Sequence, residues 1–344
     1  MKNSKGSRNW SNLKISTSQL SEFQEITPFP RLLWYTILVL EVFIYGSYPL
    51  SVKLSKIDNK IKYNTTSVVM FIELGKFVFS FINLYPLWKR GELKRQPLIV
   101  WISFSVPAIL YCFNNNVSIL VQQYLDPASY VIMSNLKIPI TAFLYRLIIM
   151  RRLSFRKWFA IFLLTAAGTL NSLGNLVSEE KLHDHINDVH VTLTGLFIML
   201  VSCVVSGLAG IWTEVMVKRQ YDLSLHQQNV MLYFFGVLLN IVGFLIVDSP
   251  SFSTGGNENL SHKINNIFHH YNPWVKVIIC SEICCGLIVS IVMKHASNIT
   301  KLFITSSSIL VTTLFAFLLF KFELNVFLII AVVLIIFALC LYNH

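Results

Sequence analysis

The sequence predicts an all-α polytopic membrane protein with ten transmembrane helices. Hydrophobic residues make up 54% of its 344 residues and charged residues only 13%, and the mean hydropathy is +0.61. Ten apolar segments approach the length of about 20 residues that a helix needs to cross a bilayer, and short basic clusters separate several of them. A chain of this composition cannot form one or two soluble domains.

The apolar segments form two groups of five behind a polar arm. Residues 1–30 lack the short apolar core of a signal peptide, which predicts a cytosolic N-terminal arm. Many carriers contain two inverted repeats with an odd number of helices, so residues 31–176 and 191–342 are expected to be two five-helix repeats. The ten segments lie near residues 31–52, 67–88, 98–122, 127–149, 157–176, 191–217, 228–248, 274–293, 300–320 and 323–342.

Basic residues predict that both termini face the cytosol. In this orientation the cytosolic loops collect most lysines and arginines, as the positive-inside rule requires, and the clearest clusters lie within residues 89–95 and 151–157. Four lysines between residues 53 and 62 oppose the rule without reversing the balance. The same orientation places two candidate glycosylation sites, Asn64 and Asn259, in lumenal loops.

The residue pattern argues against several function classes. The net charge of +11 comes from clusters between apolar segments, which does not indicate nucleic-acid binding. The chain has no P-loop, HExxH motif or nucleophile elbow, so we predict neither an enzyme nor a bound cofactor. The cysteines lie in apolar segments without metal-ligand spacing, so we expect no metal site and no disulfide framework; they are Cys112, Cys203, Cys280, Cys284, Cys285 and Cys340.

One lysine, Lys137, lies in the middle of the fourth apolar segment. A cation near a bilayer midplane costs roughly 3 kcal/mol unless it faces a wet cavity or a partner. Tyr130, Ser134 and Thr141 lie on the same face as Lys137 at helical spacing, so they form a single polar face. Hydroxyls, a cation and an aromatic ring together suit an anionic solute that carries a ring. The alternative is a lysine that snorkels to the interface or pairs helices.

The second half of the chain carries a lysine on the matching helix face, Lys301, seven residues before the position that aligns with Lys137. Shifting the chain by 171 residues aligns the fourth and fifth segments with the ninth and tenth, and the polar face then falls on residues 301, 305, 308 and 312. We therefore expect Lys137 and Lys301, one from each half, to hold a diphosphate between them. The alternative is that Lys301 only anchors the start of its helix.

Further polar residues lie inside apolar segments. Tyr111 and Asn115 begin a polar face in the third segment, and Asn229 and Tyr233 lie one turn apart in the seventh. Amides and aromatic rings can bind a base or a ribose. Amides also hold membrane helices together, which is the alternative role for the polar face.

The second apolar segment contains a charged pair. Glu73 and Lys76 are three residues apart, close enough for an ion pair within one helix. We interpret them as a structural ion pair, with a gating or proton-linked role as the alternative.

The sequence resembles the nucleotide-sugar transporter family, solute carrier family 35 subfamily A, over nearly its whole length after the N-terminal arm. The resemblance rests on motifs such as LDPASY at 125–130, LKIP at 136–139, SGLAG at 206–210 and NITK at 298–301. The pieces SNLKI, MKH and ITKLF are most similar to the branch numbered fourth, whose members are described as carriers of UDP-sugars or of CDP-ribitol.

The resemblance implies the drug/metabolite transporter fold, with ten helices in an inverted five-plus-five repeat. It also implies a Golgi antiporter that exchanges a cytosolic pyrimidine nucleotide sugar for a lumenal nucleoside monophosphate. It assigns phosphate contacts to Lys137 and Lys301, and nucleoside contacts to Tyr111, Asn115, Tyr130, Asn229, Tyr233 and Ser290. Ser134 and Thr141 complete the predicted substrate-binding set.

The implied partners are a nucleotide sugar, a nucleoside monophosphate and the lipid bilayer. A second copy of the chain, forming a homodimer, is a further candidate partner. Ser134 replaces a tyrosine of the sialic acid and galactose carriers, so the resemblance does not fix the sugar. Two alternatives are a carrier of another phosphorylated metabolite and a membrane scaffold or regulatory protein without transport activity.

Overall fold

The computed structural model describes residues 30–57, 61–125, 127–150, 153–178, 193–247, 268, 271–320 and 326–343. These residues form eleven α-helices: α1 Arg31–Ser55, α2 Thr65–Lys89, α3 Leu98–Tyr124, α4 Pro127–Ser134, α5 Lys137–Ile149, α6 Phe155–Ser178, α7 Leu193–Arg219, α8 Leu225–Val247, α9 Pro273–His295, α10 Asn298–Phe320 and α11 Val326–Asn343. The N-terminal arm, residues 1–29 of it, lies outside the described residues.

Each of the ten predicted apolar segments is helical where the structure describes it, apart from a turn at residues 135–136 in the fourth. Within the described parts of the chain, six helical stretches are long and apolar enough to cross a membrane, and Leu98–Asn114 and Val326–Tyr342 are shorter apolar helices. Many large apolar side chains on the outer faces of the bundle are exposed, as expected of a surface that lipid covers. The chain is therefore a multi-pass membrane protein.

The fourth apolar segment is two helices, so the prediction of one continuous helix with a single polar face is wrong. The Ile138 amide donates to the Asn135 carbonyl, 3.1 Å away, across a turn at residues 135–136. Pro139 explains the break, because it has no N–H for the Asn135 carbonyl yet fits the first turn of a new helix. Asn135 is held by its side-chain amide, which donates to Ser172 Oγ of α6 at 3.2 Å.

The break moves the predicted residues onto two elements. Ser134 ends α4, and Lys137 is the first residue of α5. Lys137 thus lies at the start of α5, where the helix dipole favours an anion.

The largest helix contacts join the two halves of the chain. Helix α6 packs on α11, α3 on α7, α2 on α8, and α1 on both α9 and α10. The main hydrophobic core contains residues of both halves, among them Phe104 of α3, Leu164 of α6, Ile211 of α7 and Ile335 of α11. The two halves therefore interlock around a shared core.

Glycine allows close approach at two of these contacts. A Cβ atom on Gly207 of α7 would lie 2.9 Å from Thr141 Oγ1 of α5, and one on Gly46 of α1 would lie 2.7 Å from Val311 Cβ of α10. A larger residue at either position would push the helices apart.

A buried polar network ties together the ends of α5, α7, α9 and α10. Glu214 Oε1 accepts from Lys218 Nζ at 2.7 Å and from the Tyr145 hydroxyl at 3.2 Å. Its Oε2 accepts from the Asn298 backbone amide at 2.7 Å, and Lys218 also donates to the Ala296 carbonyl. Glu214 is only 1% exposed, so these contacts offset the cost of burying its charge.

Candidate functional site

The two predicted phosphate-binding lysines lie near each other in the bundle. The Lys137 ammonium is close enough to that of Lys301 for their positive charges to interact, and it also faces buried Cys203 of α7. The Lys137 side chain is exposed, whereas Ile138 next to it and Thr141 one turn on are buried. Lys137 therefore does not pack into the hydrophobic core beside it.

Lys301 lies in the first turn of α10 and faces α3. Its Nζ atom lies 6.0 Å from the centre of the Tyr111 ring, which is the outer limit of a cation–π contact. Its charge also acts on Glu41 of α1. The structure thus brings Lys137, Lys301 and Tyr111 from three helices to one place.

Neither of these lysines is neutralised by an ion pair within the described parts of the chain. The ion pairs there join Lys76 to Glu73 and Lys218 to Glu214. Two neighbouring cations without an ion-pair partner repel each other and attract an anion. A phosphate or diphosphate group is the ligand that fits this charge.

A second cluster lies around Tyr233 of α8. The Tyr233 hydroxyl is 2.8 Å from Ser290 Oγ and donates to the Gly286 carbonyl at 3.0 Å. Lys76 Nζ lies 4.9 Å from the centre of the Tyr233 ring. We call Lys76, Tyr233, Gly286 and Ser290 the Tyr233 cluster. The structure brings the predicted residues Tyr233 and Ser290 into direct contact.

Glu73 and Lys76 do more than pair with each other. Lys76 Nζ lies 2.5 Å from Glu73 Oε1, and a Cβ atom on Gly286 would lie 2.5 Å from Lys76 Cδ. Glu73 Oε2 lies against Gly236 of α8, where a Cβ atom would be 2.8 Å away. The sequence did not show that Lys76 also belongs to the Tyr233 cluster. The sequence signal that could have indicated a further role for these residues was the presence of charge inside an apolar segment.

Asn229 is buried one turn before Tyr233, and its amide nitrogen has no hydrogen-bond partner among the described residues. A buried amide without a partner is costly in a native structure. Asn229 therefore has a free hydrogen-bond donor one turn from Tyr233.

The remaining predicted substrate-binding residues differ from one another in their surroundings. Tyr130 packs against the apolar cluster of Val117, Val121 and Met199. Thr141 is buried against Gly207, with its hydroxyl at the helix contact rather than in open space. Asn115 lies on α3, but its side chain is outside the described residues.

Of the two candidate glycosylation sites, only one lies within the described residues. Asn64 caps α2, where its side-chain oxygen accepts from the Ser67 amide at 3.1 Å. Asn259 lies outside the described residues. Glycosylation at either position stays a prediction.

A groove of about 740 Å³ lies on the outer face of the bundle between α2 and α9, away from the lysines. It is lined mainly by apolar residues such as Phe71, Leu74 and Ile279, with Lys276 at its edge. It contains none of the predicted substrate-binding residues.

Comparison with known proteins gives a consistent family. The family model described as "Nucleotide-sugar transporter" matches residues 30–343. The chain is 40% identical over 316 residues to "Probable UDP-sugar transporter protein SLC35A4" of Xenopus tropicalis, covering 91% of this chain and 92% of that protein. It is 33% identical over 317 residues to the Homo sapiens protein of the same name, covering 90% and 93%.

A solved crystal structure of a protein only 10% identical covers 91% of this chain and 98% of its own, with a TM-score of 0.61. That likeness shows a shared fold alone. The family match covers nearly all of the chain after its N-terminal arm, and the family consists of transporters rather than enzymes. The resemblance first seen in the LDPASY and LKIP motifs is confirmed: this chain belongs to the nucleotide-sugar transporter family.

Proposed function

We propose that the chain is a Golgi antiporter that exchanges a cytosolic pyrimidine nucleotide sugar for a lumenal nucleoside monophosphate. The observation that carries the proposal is the pair of lysines, Lys137 and Lys301, that meet from the two halves without ion-pair partners in the described residues. Such a pair suits the diphosphate of a nucleotide sugar. The curated relatives are named probable UDP-sugar transporters, which supports a UDP-sugar over CDP-ribitol.

The phosphate and the nucleoside would occupy different parts of this site. Lys137 stands at the N-terminus of α5, and a half-helix N-terminus commonly binds the anionic group of a transported substrate. Asn229 and Tyr233 offer an unpartnered amide donor and a buried ring. The phosphates would therefore lie at the lysines, and the base and ribose would lie toward Tyr233 and Tyr111.

Thr141 would contribute indirectly. It is buried where α5 packs on α7, two helices that come from opposite halves. Its contact with Gly207 would fix the position of α5 and therefore of Lys137.

Alternating access would follow from the inverted repeat that we propose for α1–α6 and α7–α11. The helix contacts support this arrangement, because they match when the halves are exchanged: α3 on α7 corresponds to α9 on α1, and α5 on α7 corresponds to α10 on α1. Rocking of one half against the other would expose the lysines first to one side and then to the other. A monophosphate can use the same lysines for the return step, so exchange needs no ion gradient.

The proposal is tested by thermal unfolding of the purified protein with UMP, CMP, GMP, AMP and their nucleotide sugars. A ligand at a hundredfold its dissociation constant stabilises the folded state by about 2.7 kcal/mol. We expect stabilisation by UMP or CMP compounds and its loss in Lys137→Ala and Lys301→Ala. Lys276→Ala, which changes an exposed lysine of α9, is the matched control.

Each alternative predicts a different pattern. Equal stabilisation by all four monophosphates would favour a carrier of another phosphorylated metabolite. An absence of stabilisation by every nucleotide would contradict the transporter proposal and favour a scaffold.

A further inference from the structure

The groove between α2 and α9 has no role in the nucleotide site proposed above. Its volume of about 740 Å³ is in the range of sites that bind a small molecule, roughly 300–1,000 Å³. Leu74 and Val78 are 38% and 44% exposed, so the groove opens on the outer surface of the bundle, which lipid covers. We call it the outer groove, and six of the residues that line it are Phe71, Leu74, Val78, Tyr271, Lys276 and Ile279.

The outer groove lies where its two helices are in close contact. Gly75 of α2 also lines the groove, and a Cβ atom there would overlap with Ile283 of α9. One turn earlier, Phe71 stacks on Phe268 with 5.2 Å between the ring centres. The walls of the groove are therefore apolar and come from two packed segments of opposite halves.

The polar residues of the outer groove lie at one end of it. Helix α2 begins at Thr65 and α9 at Pro273, and these ends are adjacent because Ser67 Oγ is 2.7 Å from the Tyr271 hydroxyl. Lys276 lies in the first turn of α9, whereas Val78 lies roughly 20 Å along α2 from its start. The groove thus runs from the helix ends, where lipid headgroups lie, toward the hydrocarbon.

Lys276 supplies the charge at the polar end. Its side chain is exposed, and the ion pairs in the described ranges, Lys76 with Glu73 and Lys218 with Glu214, do not include it. A basic side chain between helices at the membrane surface attracts the phosphate of a lipid headgroup. The charge at the groove edge is therefore complementary to a phosphate.

We propose that the outer groove is a phospholipid site, with the lipid phosphate at Lys276 and an acyl chain along Phe71, Leu74 and Val78. A phospholipid has the same order of groups as the groove, an anionic head followed by a long apolar chain. A sterol or a neutral glyceride fits the apolar walls but brings no phosphate to Lys276. The site is separate from the nucleotide site, so its loss leaves nucleotide binding and exchange intact.

The test of the phosphate contact uses two lipids that differ only by a phosphate group, dioleoyl phosphatidate and dioleoylglycerol. Native mass spectrometry of the purified full-length protein in detergent measures the affinity for each. We expect the wild type to bind phosphatidate about fivefold or more tightly than dioleoylglycerol. Lys276→Ala should remove most of this preference, and Lys276→Arg should keep it. Lys89→Ala, which changes an exposed lysine at the other end of α2, is the control and should keep it too.

The test of the acyl-chain contact fills the groove. Leu74→Trp places a larger ring against the apolar wall and should weaken the binding of both lipids severalfold. Ile82→Trp is the matched control, because Ile82 is 63% exposed on the same helix and does not line the groove. Glycerol 3-phosphate, which has the phosphate but no acyl chain, should not displace phosphatidate at equal concentration.

The site is overturned if the wild type binds the two lipids equally, or if neither Lys276→Ala nor Leu74→Trp changes lipid binding. Displacement by glycerol 3-phosphate would assign Lys276 to a soluble anion instead. A dimer that Leu74→Trp dissociates, with phosphatidate binding unchanged, would assign the groove to a second copy of the chain. Thermal unfolding without lipid shows that each variant is folded, and Lys276→Gln and Val78→Trp replace a variant that is not.

Discussion

At the scale of single residues, the lysines of the apolar segments fall into two kinds. Lys218 and Lys76 each bind a carboxylate on their own helix, at 2.7 Å and 2.5 Å. Lys137 and Lys301 have no such partner in the described residues and face each other across the two halves. An ion pair lowers the cost of burying a lysine. Two neighbouring lysines without carboxylate partners instead create a site that attracts an anion. This difference supports the proposal that Lys137 and Lys301 bind substrate, whereas Lys218 and Lys76 are held in ion pairs.

Tyr233 should show how much a single hydroxyl contributes. Tyr233→Phe removes the contacts with Gly286 and Ser290, so the free energy of unfolding should fall by about 1 kcal/mol. Tyr233→Ala also removes the ring beneath Lys76. The free energy of unfolding should therefore fall by roughly 1 kcal/mol or more beyond the fall in Tyr233→Phe. Thermal unfolding in detergent measures both. Tyr85→Phe, at an exposed position of α2, serves as the control, and equal stability of all four proteins would rule out this role.

At the scale of elements, the turn between α4 and α5 has the clearest consequence for function. The turn puts Lys137 at the start of α5, where its charge adds to that of the helix N-terminus. Asn135 fixes the turn to α6 through Ser172, and Gly168 leaves room for it, because a Cβ there would lie 2.5 Å from Asn135 Oδ1. The position of Lys137 therefore depends on a helix that does not line the site.

Pro139→Ala should weaken ligand binding without unfolding the protein. Alanine restores the N–H that a continuous helix needs, so α4 and α5 can join and Lys137 can rotate away from Lys301. Loss of the helix N-terminus alone is worth about 1–2 kcal/mol, or on the order of tenfold in affinity. Titration with UMP measures this. Pro86→Ala, at an exposed position near the end of α2, is the control, and unchanged affinity in Pro139→Ala would show that the break is not needed.

The sequence predicted the elements better than their contacts. Hydropathy and length located all ten apolar segments, because a membrane span needs a fixed number of apolar residues. The cost of burying charge likewise singled out Lys137. The contact of Lys76 with Tyr233 could not be predicted, since helical periodicity gives the face of a residue but not the helix it meets. Pro139 carried a signal for the break, but proline also occurs inside α1, α2 and α3.

At the scale of the whole molecule, the helices pack more extensively against helices of the other half than against helices of their own half. The shared core spans both halves, and the Glu214 network joins α5 of the first half to α7 and α10 of the second. Helices that rock must change contacts at one end of the bundle while keeping the rest. The Glu214 network is the most highly connected polar contact in the described residues, and we therefore expect it to set how firmly that end stays closed.

Glu214→Gln should destabilise the protein strongly. It leaves the Lys218 cation buried without its counter-charge, which costs about 3 kcal/mol or more. The double variant Glu214→Gln with Lys218→Met removes both charges and should recover much of the loss. Thermal unfolding of the single and double variants measures this coupling. A double variant no more stable than Glu214→Gln would show that the ion pair is not the stabilising contact.

The measurement that tests the central claim most directly is exchange of a nucleoside monophosphate in liposomes containing the purified protein. Labelled UMP or CMP is added outside liposomes that are either empty or loaded with the same unlabelled nucleotide. We predict that loading increases uptake several-fold, that Lys137→Ala and Lys301→Ala abolish this increase, and that Lys276→Ala retains it. Uptake that is independent of loading, or equal exchange in the wild type and Lys137→Ala, would contradict an exchanger built on the two lysines.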